Sequence, residues 1–290
     1  MWPELSQYAE MPVIGIPDWT TIRQQLPPTG TSGLSLAEWA LICGARADSL
    51  SLAFLWGYQV AMRRVDAAMS SQNLSAWCVS ESGLSSLRAM VTEFDPVAKT
   101  VTGRKSHVML MAQQQLDWLY VLTRVRDTES LVAVKISAAA EGIVVIPSQK
   151  TQPFVAQVPH AAVTFTNTPI ASDFYVDNAH AVLNRPFRFW EDCYVSLAFV
   201  GWFWRRLPVN SRLVLEQSVA PWLSYLATAD QEYDARHLRH SSALFEELDV
   251  LASNLPADAA TQWQQDKMLL ILGERARAAL RVRFSKSAER

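Results

Sequence analysis

A chain of 290 residues, half of them hydrophobic and 19% charged, is too apolar for disorder and long enough for two or three packed units. Its 26 Lys+Arg against 28 Asp+Glu leave a formal charge of -2, which excludes a global basic surface for nucleic acid or anionic lipid. Cys43, Cys78 and Cys193 lie far apart, which excludes a disulfide scaffold and the close Cys/His spacing of a zinc site; no metal is expected, and the compartment is read as a reducing cytoplasm.

The N-terminal stretch MWPELSQYAEMPV lacks the basic and apolar regions of a secretory signal, so no export is expected. Up to residue 34 the breakers Pro3, Pro12, Pro17, Pro27, Pro28, Gly30 and Gly33 leave room for one short helix over Trp19 to Leu26. Leu36, Trp39, Ala40 and Cys43, then Leu52, Leu55, Trp56 and Val60, recur at helical spacing and predict two helices up to Arg64, broken between Gly44 and Asp48. Between Leu74 and Val176 short β-branched and aromatic runs replace that period: LSAWCVS, AMVTEFD, KTVTG, SHVMLM, DWLYVLTRV, LVAVKI, GIVVI and AAVTFTN. They predict a central antiparallel sandwich or barrel, with hairpin turns at Asp95-Pro96 and Gly103-Arg104. Helical periods return over Arg188 to Arg206, Ser211 to Ala229, Glu232 to Asn254 and Ala257 to Phe284, with breaks at Pro208, Asp230 and Pro256. The apolar run from Val195 to Trp204 is shorter than the ~20 residues that span a bilayer, so no membrane span is expected. The fold class is α+β, divided as an N-terminal arm and helical domain over 1–73, a β-domain over 74–181 and a C-terminal helical bundle over 182–290.

This order of helices, strands and helices, together with local sequence, resembles the acyl-CoA dehydrogenase family. Ala76-Trp77-Cys78-Val79-Ser80-Glu81 is similar to the family's aromatic-Cys-Val-Thr-Glu motif and continues through Gly83 to Ser86. Lys99 to Lys105 resembles its Gly-x-Lys turn, and Gly142-Ile143 and Ala161 to Ile170 its later strands. The resemblance covers most of Leu36 to Gly201, with an N-terminal helical domain reduced by several helices. It implies bound FAD and α,β-dehydrogenation of an acyl-CoA or related acyl thioester, in which a carboxylate takes the α-proton and the β-hydrogen leaves as hydride to the flavin.

On that resemblance Cys78, Ser80, Ser86, His107 and Met109 take cofactor-facing places, His107 and Met109 standing where the family has Trp and Thr of a Trp-Ile-Thr-Asn stretch. One branch of the family carries its base on the first helix after the β-domain, ten residues before a glycine that begins a small-residue turn; counting back from Gly201 gives Glu191, followed by Asp192 instead of Arg. The Arg-x-x-Phe-Gly and Gln-Ile-x-Gly-Gly-x-Gly segments of the family are missing, and this supports an alternative: a non-catalytic subunit or scaffold associated with a catalytic acyl-CoA dehydrogenase-like partner. Either way a homo- or hetero-oligomer is expected. The plainer readings are first-turn acids for Glu191 and Asp192, a small-residue turn for Ser80 to Ser86, and a solvated helix face for Arg236, His237, Arg239 and His240. Arg275, Arg277, Arg281 and Arg283 read as a helix end or solvated tail.

Overall fold

Ser35 opens the first long helix with a capping box: its hydroxyl accepts from the Glu38 N–H at 3.3 Å while the Glu38 carboxylate accepts from the Ser35 N–H at 2.7 Å. The computed structural model describes residues 6–7, 10–16, 18–26, 34–148, 152–228 and 232–288. Pro3, Pro17, Pro27, Pro28, Gly30, Gly33, the break at Asp230 and the Arg283 side chain lie outside the described residues. The helices are α1 (Trp19–Gln24), α2 (Leu36–Arg46), α3 (Leu50–Val65), α4 (Arg185–Arg206), α5 (Val209–Leu226), α6 (Ala235–Leu251), α7 (Ala257–Asp266) and α8 (Met268–Ala288). Among the described residues no helix is long and apolar enough to cross a membrane.

Residues 1–64, 153–157 and 188–290 form one unit, so helices from both ends of the chain share a core that includes Trp56, Phe199, Trp202, Phe203, Trp222 and Trp263. The α2–α4 and α3–α4 crossings are close because they are built on glycine. A Cβ on Gly44 would overlap the Ala198 carbonyl, one on Gly201 would overlap the Leu41 carbonyl, and one on Gly57 would lie 2.6 Å from the Val195 Cα. Gly201 therefore sits inside α4 as a packing residue and begins no turn, which corrects the landmark from which Glu191 was counted. Gly201→Ala is expected to cost about 3 kcal/mol through overpacking against backbone, despite alanine's better helix propensity. Chemical denaturation would show this as a lower midpoint, and an unchanged midpoint would contradict so close a crossing.

The single helix expected over Ala257 to Phe284 is two, parted at Lys267. There Asp266 turns inward to accept the Val155 N–H at 2.7 Å, and Lys267 reaches Asp249 at 2.9 Å. Pro221, by contrast, lies within α5 without ending it.

Residues 65–152 and 158–187 form the second unit. Its strands are β1 (Ser75–Cys78), β2 (Glu93–Asp95), β3 (Thr100–Met109), β4 (Trp118–Val125), β5 (Leu131–Ser137), β6 (Ile143–Pro147), β7 (His160–Pro169) and β8 (Tyr175–Val176). They form one sheet in the order β6-β7-β3-β2-β4-β5-β8, with β1 also on β4. The sheet is mixed, a correction to the antiparallel expectation, because β1 and β2 both run parallel to β4. β1 pairs with Trp118 to Val121 and β2 with Arg124 and Val125, so the two short strands follow one another along β4 and the loop 79–92 is an excursion between them.

Gly103 is a second correction. It lies within β3 at φ +144, where a Cβ would come 2.5 Å from the Thr92 Cα. The runs KTVTG and SHVMLM are thus one strand, and the glycine marks close approach of backbone beside a bulge instead of a hairpin turn. Residues 119–123 of β4 are all buried, as expected for a strand covered on both faces.

Candidate functional site

In the β-unit the loop 79–92 is closed at its neck by Glu81. The Glu81 carboxylate accepts from the Val91 N–H at 2.8 Å and the Thr92 N–H at 3.1 Å, and pairs with the Lys105 ammonium of β3 at 2.8 Å. Lys105 also donates to the Val79 carbonyl at 3.3 Å. Burial alone would raise the Glu81 carboxyl, but the hydrogen bonds from Lys105, Thr92 and Val91 hold it below the usual range, so this buried pair is a carboxylate and an ammonium.

This clamp presents the segment containing Ser80 and Ser86. The register of β3 against β7 slips between Lys105 and Val108, so Ser106 and His107 together oppose one residue of β7. That bulge turns the exposed His107 outward, its Nδ1 lying 2.8 Å from the Ser106 hydroxyl, while the Ser106 N–H donates to the Ser80 carbonyl at 2.8 Å. Ser80 and His107 are thereby brought near one another at the surface. Ser86 is exposed farther along the loop, where it opens the turn Leu87–Ala89 and lines a hollow of about 730 Å³ with Arg88, Arg124, Glu129, Asp177 and His180.

Cys78 and Met109 are placed differently. Both side chains are buried; burial pushes the Cys78 thiol up to about 12, and its sulfur meets the Ala76 carbonyl at 3.7 Å. Met109 lies in the β3–β7 register opposite His160. The structure thus presents Ser80, Ser86 and His107 at the surface of the β-unit and withdraws Cys78 and Met109 into it.

In the helical unit α4 carries Glu191 and Asp192 side by side. Asp192 forms an ion pair with Arg277 of α8 and accepts from His237 Nε2 of α6 at 3.3 Å. Ser241 donates to the His237 carbonyl at 3.0 Å, and the Cys193 sulfur lies 3.8 Å from His237 Nδ1. The Ser241 hydroxyl also lies 3.0 Å from His237 Nε2, so both ring nitrogens have polar partners in the interior. Burial raises the Cys193 thiol well above its ordinary value, so this Cys–His–Asp chain has no nucleophilic thiolate. Burial would also raise the Asp192 carboxyl, but the His237 hydrogen bond and the Arg277 charge outweigh it and keep the group below the carboxylate range.

Glu191 has the opposite balance. It is half-buried, and burial with the neighbouring Asp192 charge pushes its carboxyl up to about 7, against the opposing Arg188.

Two surface readings are corrected by this cluster. His237 is fully buried in an aromatic cage whose ring centroids stand at 4.7 Å for Phe189, 5.3 Å for Tyr233 and 6.0 Å for Trp222, whereas Arg236 and Arg239 are exposed. Arg277 is 2% exposed and belongs to the interior. A helical projection of 235–251 was the available signal for His237, since it shares a face with Leu238, Ser241, Leu244 and Leu248.

No family model matches the sequence, and no curated protein matches it. Solved structures do. Butyryl-CoA dehydrogenase from Megasphaera elsdenii aligns at a TM-score of 0.67 with 8% identity, over 90% of this chain and 84% of that one. The chain has an acyl-CoA dehydrogenase-like fold. A protein described as an FAD-dependent dehydrogenase aligns at 0.65 with 15% identity over 87% and 85% of the two chains. FkbI, from biosynthesis of the methoxymalonyl extender unit of a polyketide immunosuppressant, aligns at 0.61 with 15% identity over 98% and 95%. Identities this low speak for the fold.

Proposed function

We propose that this chain is a flavin-dependent oxidoreductase of the acyl-CoA dehydrogenase type, acting on the CH–CH group of an acyl thioester with Glu191 as the base. The observation that carries the reading is the contrast between adjacent carboxyls: Asp192 is fixed as an anion, while Glu191 is poised near neutrality, as a group that takes and returns a proton should be. The fold supports it, since solved neighbours include an FAD complex and an FMN-bound protein.

The exposed Ser80 and Ser86 hydroxyls and the exposed His107 ring fit a planar, polar cofactor, and the clamp of Glu81 on Lys105 fixes the loop that carries two of them. Bound flavin supplies a hydride acceptor. The Glu191 carboxylate takes the α-proton, and the electron pair of that C–H bond becomes the new C=C bond as the β-hydrogen leaves with its pair.

The test is a visible absorption spectrum of the purified chain before and after added FAD, with the oligomeric mass taken on the same sample. A stoichiometric flavin band is expected. A second reading, a non-catalytic subunit completing a partner's site, draws on Met109, which is buried where the resemblance calls for a hydroxyl donor. Absence of the band in excess FAD would overturn a flavoenzyme acting alone and favour that second reading.

A further inference from the structure

The sheet of the β-unit ends differently at its two edges. β8 is two residues long and flanked by the exposed acids Asp173 and Asp177, charges that guard an open edge against further pairing. β6, at the other edge, has no such guard: no charged residue occurs from Gly142 to Gln149. Val144 and Ile146 are 55% and 40% exposed on its solvent face, beside the half-buried Ala162 and Thr164 of β7.

Backbone geometry fixes which groups this edge offers. The Thr166 N–H donates to the Gly142 carbonyl at 2.9 Å, so these two residues are a hydrogen-bonded pair of the β6–β7 ladder. Bonded pairs alternate along an antiparallel ladder, which makes Val144 with Thr164 and Ile146 with Ala162 the next two. Ile143 and Val145 therefore aim both N–H and C=O away from β7, and Pro147, which has no N–H, aims its C=O the same way. Among the described residues these outward groups meet no partner.

We propose that this edge is a docking surface for a second copy of the chain, β6 pairing antiparallel with β6 about a two-fold axis through Val145. The strand is its own complement. Only the odd-numbered residues offer outward groups, so odd must face odd. Centred on Val145, the pairing lets each Val145 exchange N–H···O bonds with its counterpart, and each Ile143 N–H meets the one group that Pro147 can offer, its carbonyl. It also sets the Val144 side chain of either copy against Ile146 of the other at a non-bonded pair, where side chains approach more closely. A register centred on Val144 would instead leave Ile146 facing Gly142, which has no side chain. Charge favours the same arrangement: the sequence has an acid, Glu141, before the strand and a base, Lys150, after it, so antiparallel copies join unlike ends and parallel copies join like ones. So short a contact belongs to the transient class of interfaces, and the dimer is reversible with concentration.

The test is sedimentation velocity of the full chain over a concentration series, in which a monomer–dimer equilibrium is expected. Val145→Pro removes an outward N–H that β7 does not use, so the fold is expected to survive, as circular dichroism would show, while the dissociation constant rises by about tenfold or more. Val145→Ala trims the same side chain but keeps the N–H, and is expected to dimerise. The register is read separately by oxidising Val144→Cys mixed with Ile146→Cys, since the native cysteines Cys43, Cys78 and Cys193 are buried. Cross-linked dimer is expected in the mixture and not in either variant alone, and this readout decides the matter if Val145→Pro does not fold. A chain that is monomeric at every concentration overturns the proposal, as does a dimer equally strong in folded Val145→Pro, or cross-linking no better in the mixture than in a single variant. None of these measurements involves flavin or Glu191, so the enzymatic reading and this one stand or fall apart.

Discussion

Glu191→Gln is expected to lower the turnover of an acyl thioester by about 10²- to 10⁴-fold, the usual contribution of a positioned general base, with the fold and any flavin band retained. Gln keeps the size of the side chain and removes its capacity to accept a proton. In the wild type the base acts as the carboxylate, so the rate should rise as pH increases through about 7, where burial and Asp192 have placed the Glu191 carboxyl. Steady-state kinetics across that range would reveal the limb. A variant with wild-type turnover, or a profile flat through neutrality, would remove Glu191 from the reaction.

Lys105→Met is expected to destabilise the β-unit by about 3–5 kcal/mol, because it strands the Glu81 carboxylate in a buried site. The side chains of Lys105 and Glu81 are 0% and 4% exposed, so water does little to replace the lost partner. Adding Glu81→Gln should recover part of the loss by removing the stranded charge, although its single amide oxygen replaces only one of the two acceptors that the Val91 and Thr92 N–H groups now use. The pH dependence follows from the same clamp. The folded Glu81 carboxyl is held below its ordinary value, so its stabilising contribution is complete above the unfolded carboxylate range and is lost as pH falls through the depressed folded value. Denaturant midpoints measured down through that acid window should converge for the wild type and the double variant. Curves that stay parallel would show that Glu81 contributes nothing as an anion.

Much of the fold was legible in the sequence because it rests on local period and local breakers. α2 and α3 fall where Leu36 to Arg64 repeats at helical spacing, and α4 ends at Arg206, just before Pro208. Most strands were clear from the β-branched runs, although KTVTG and SHVMLM are one strand and β8 matched no run, but pairing was not. Nothing in SAWC or EFD states that both lie parallel along β4, because strand direction is set by what the intervening loop must close. Glycine was the most misleading letter. At Gly103 and Gly201 it permits backbone to approach backbone, a reason that depends on Thr92 and Leu41, remote in sequence.

The same division runs through the candidate site. Sequence by itself determined which residue types were available and where: Ser80 and Ser86 in a loop after a strand, His107 on the next strand, Glu191 and Asp192 on a helix. Only the tertiary structure decided their states. It buried Cys78 and Met109, turned His107 outward on a bulge, and drew Arg277 of α8 and His237 of α6 onto Asp192. The physical reason is that secondary structure follows from interactions within a few residues. Burial, ion pairing and the protonation of a carboxyl are set by neighbours that the chain brings together from afar.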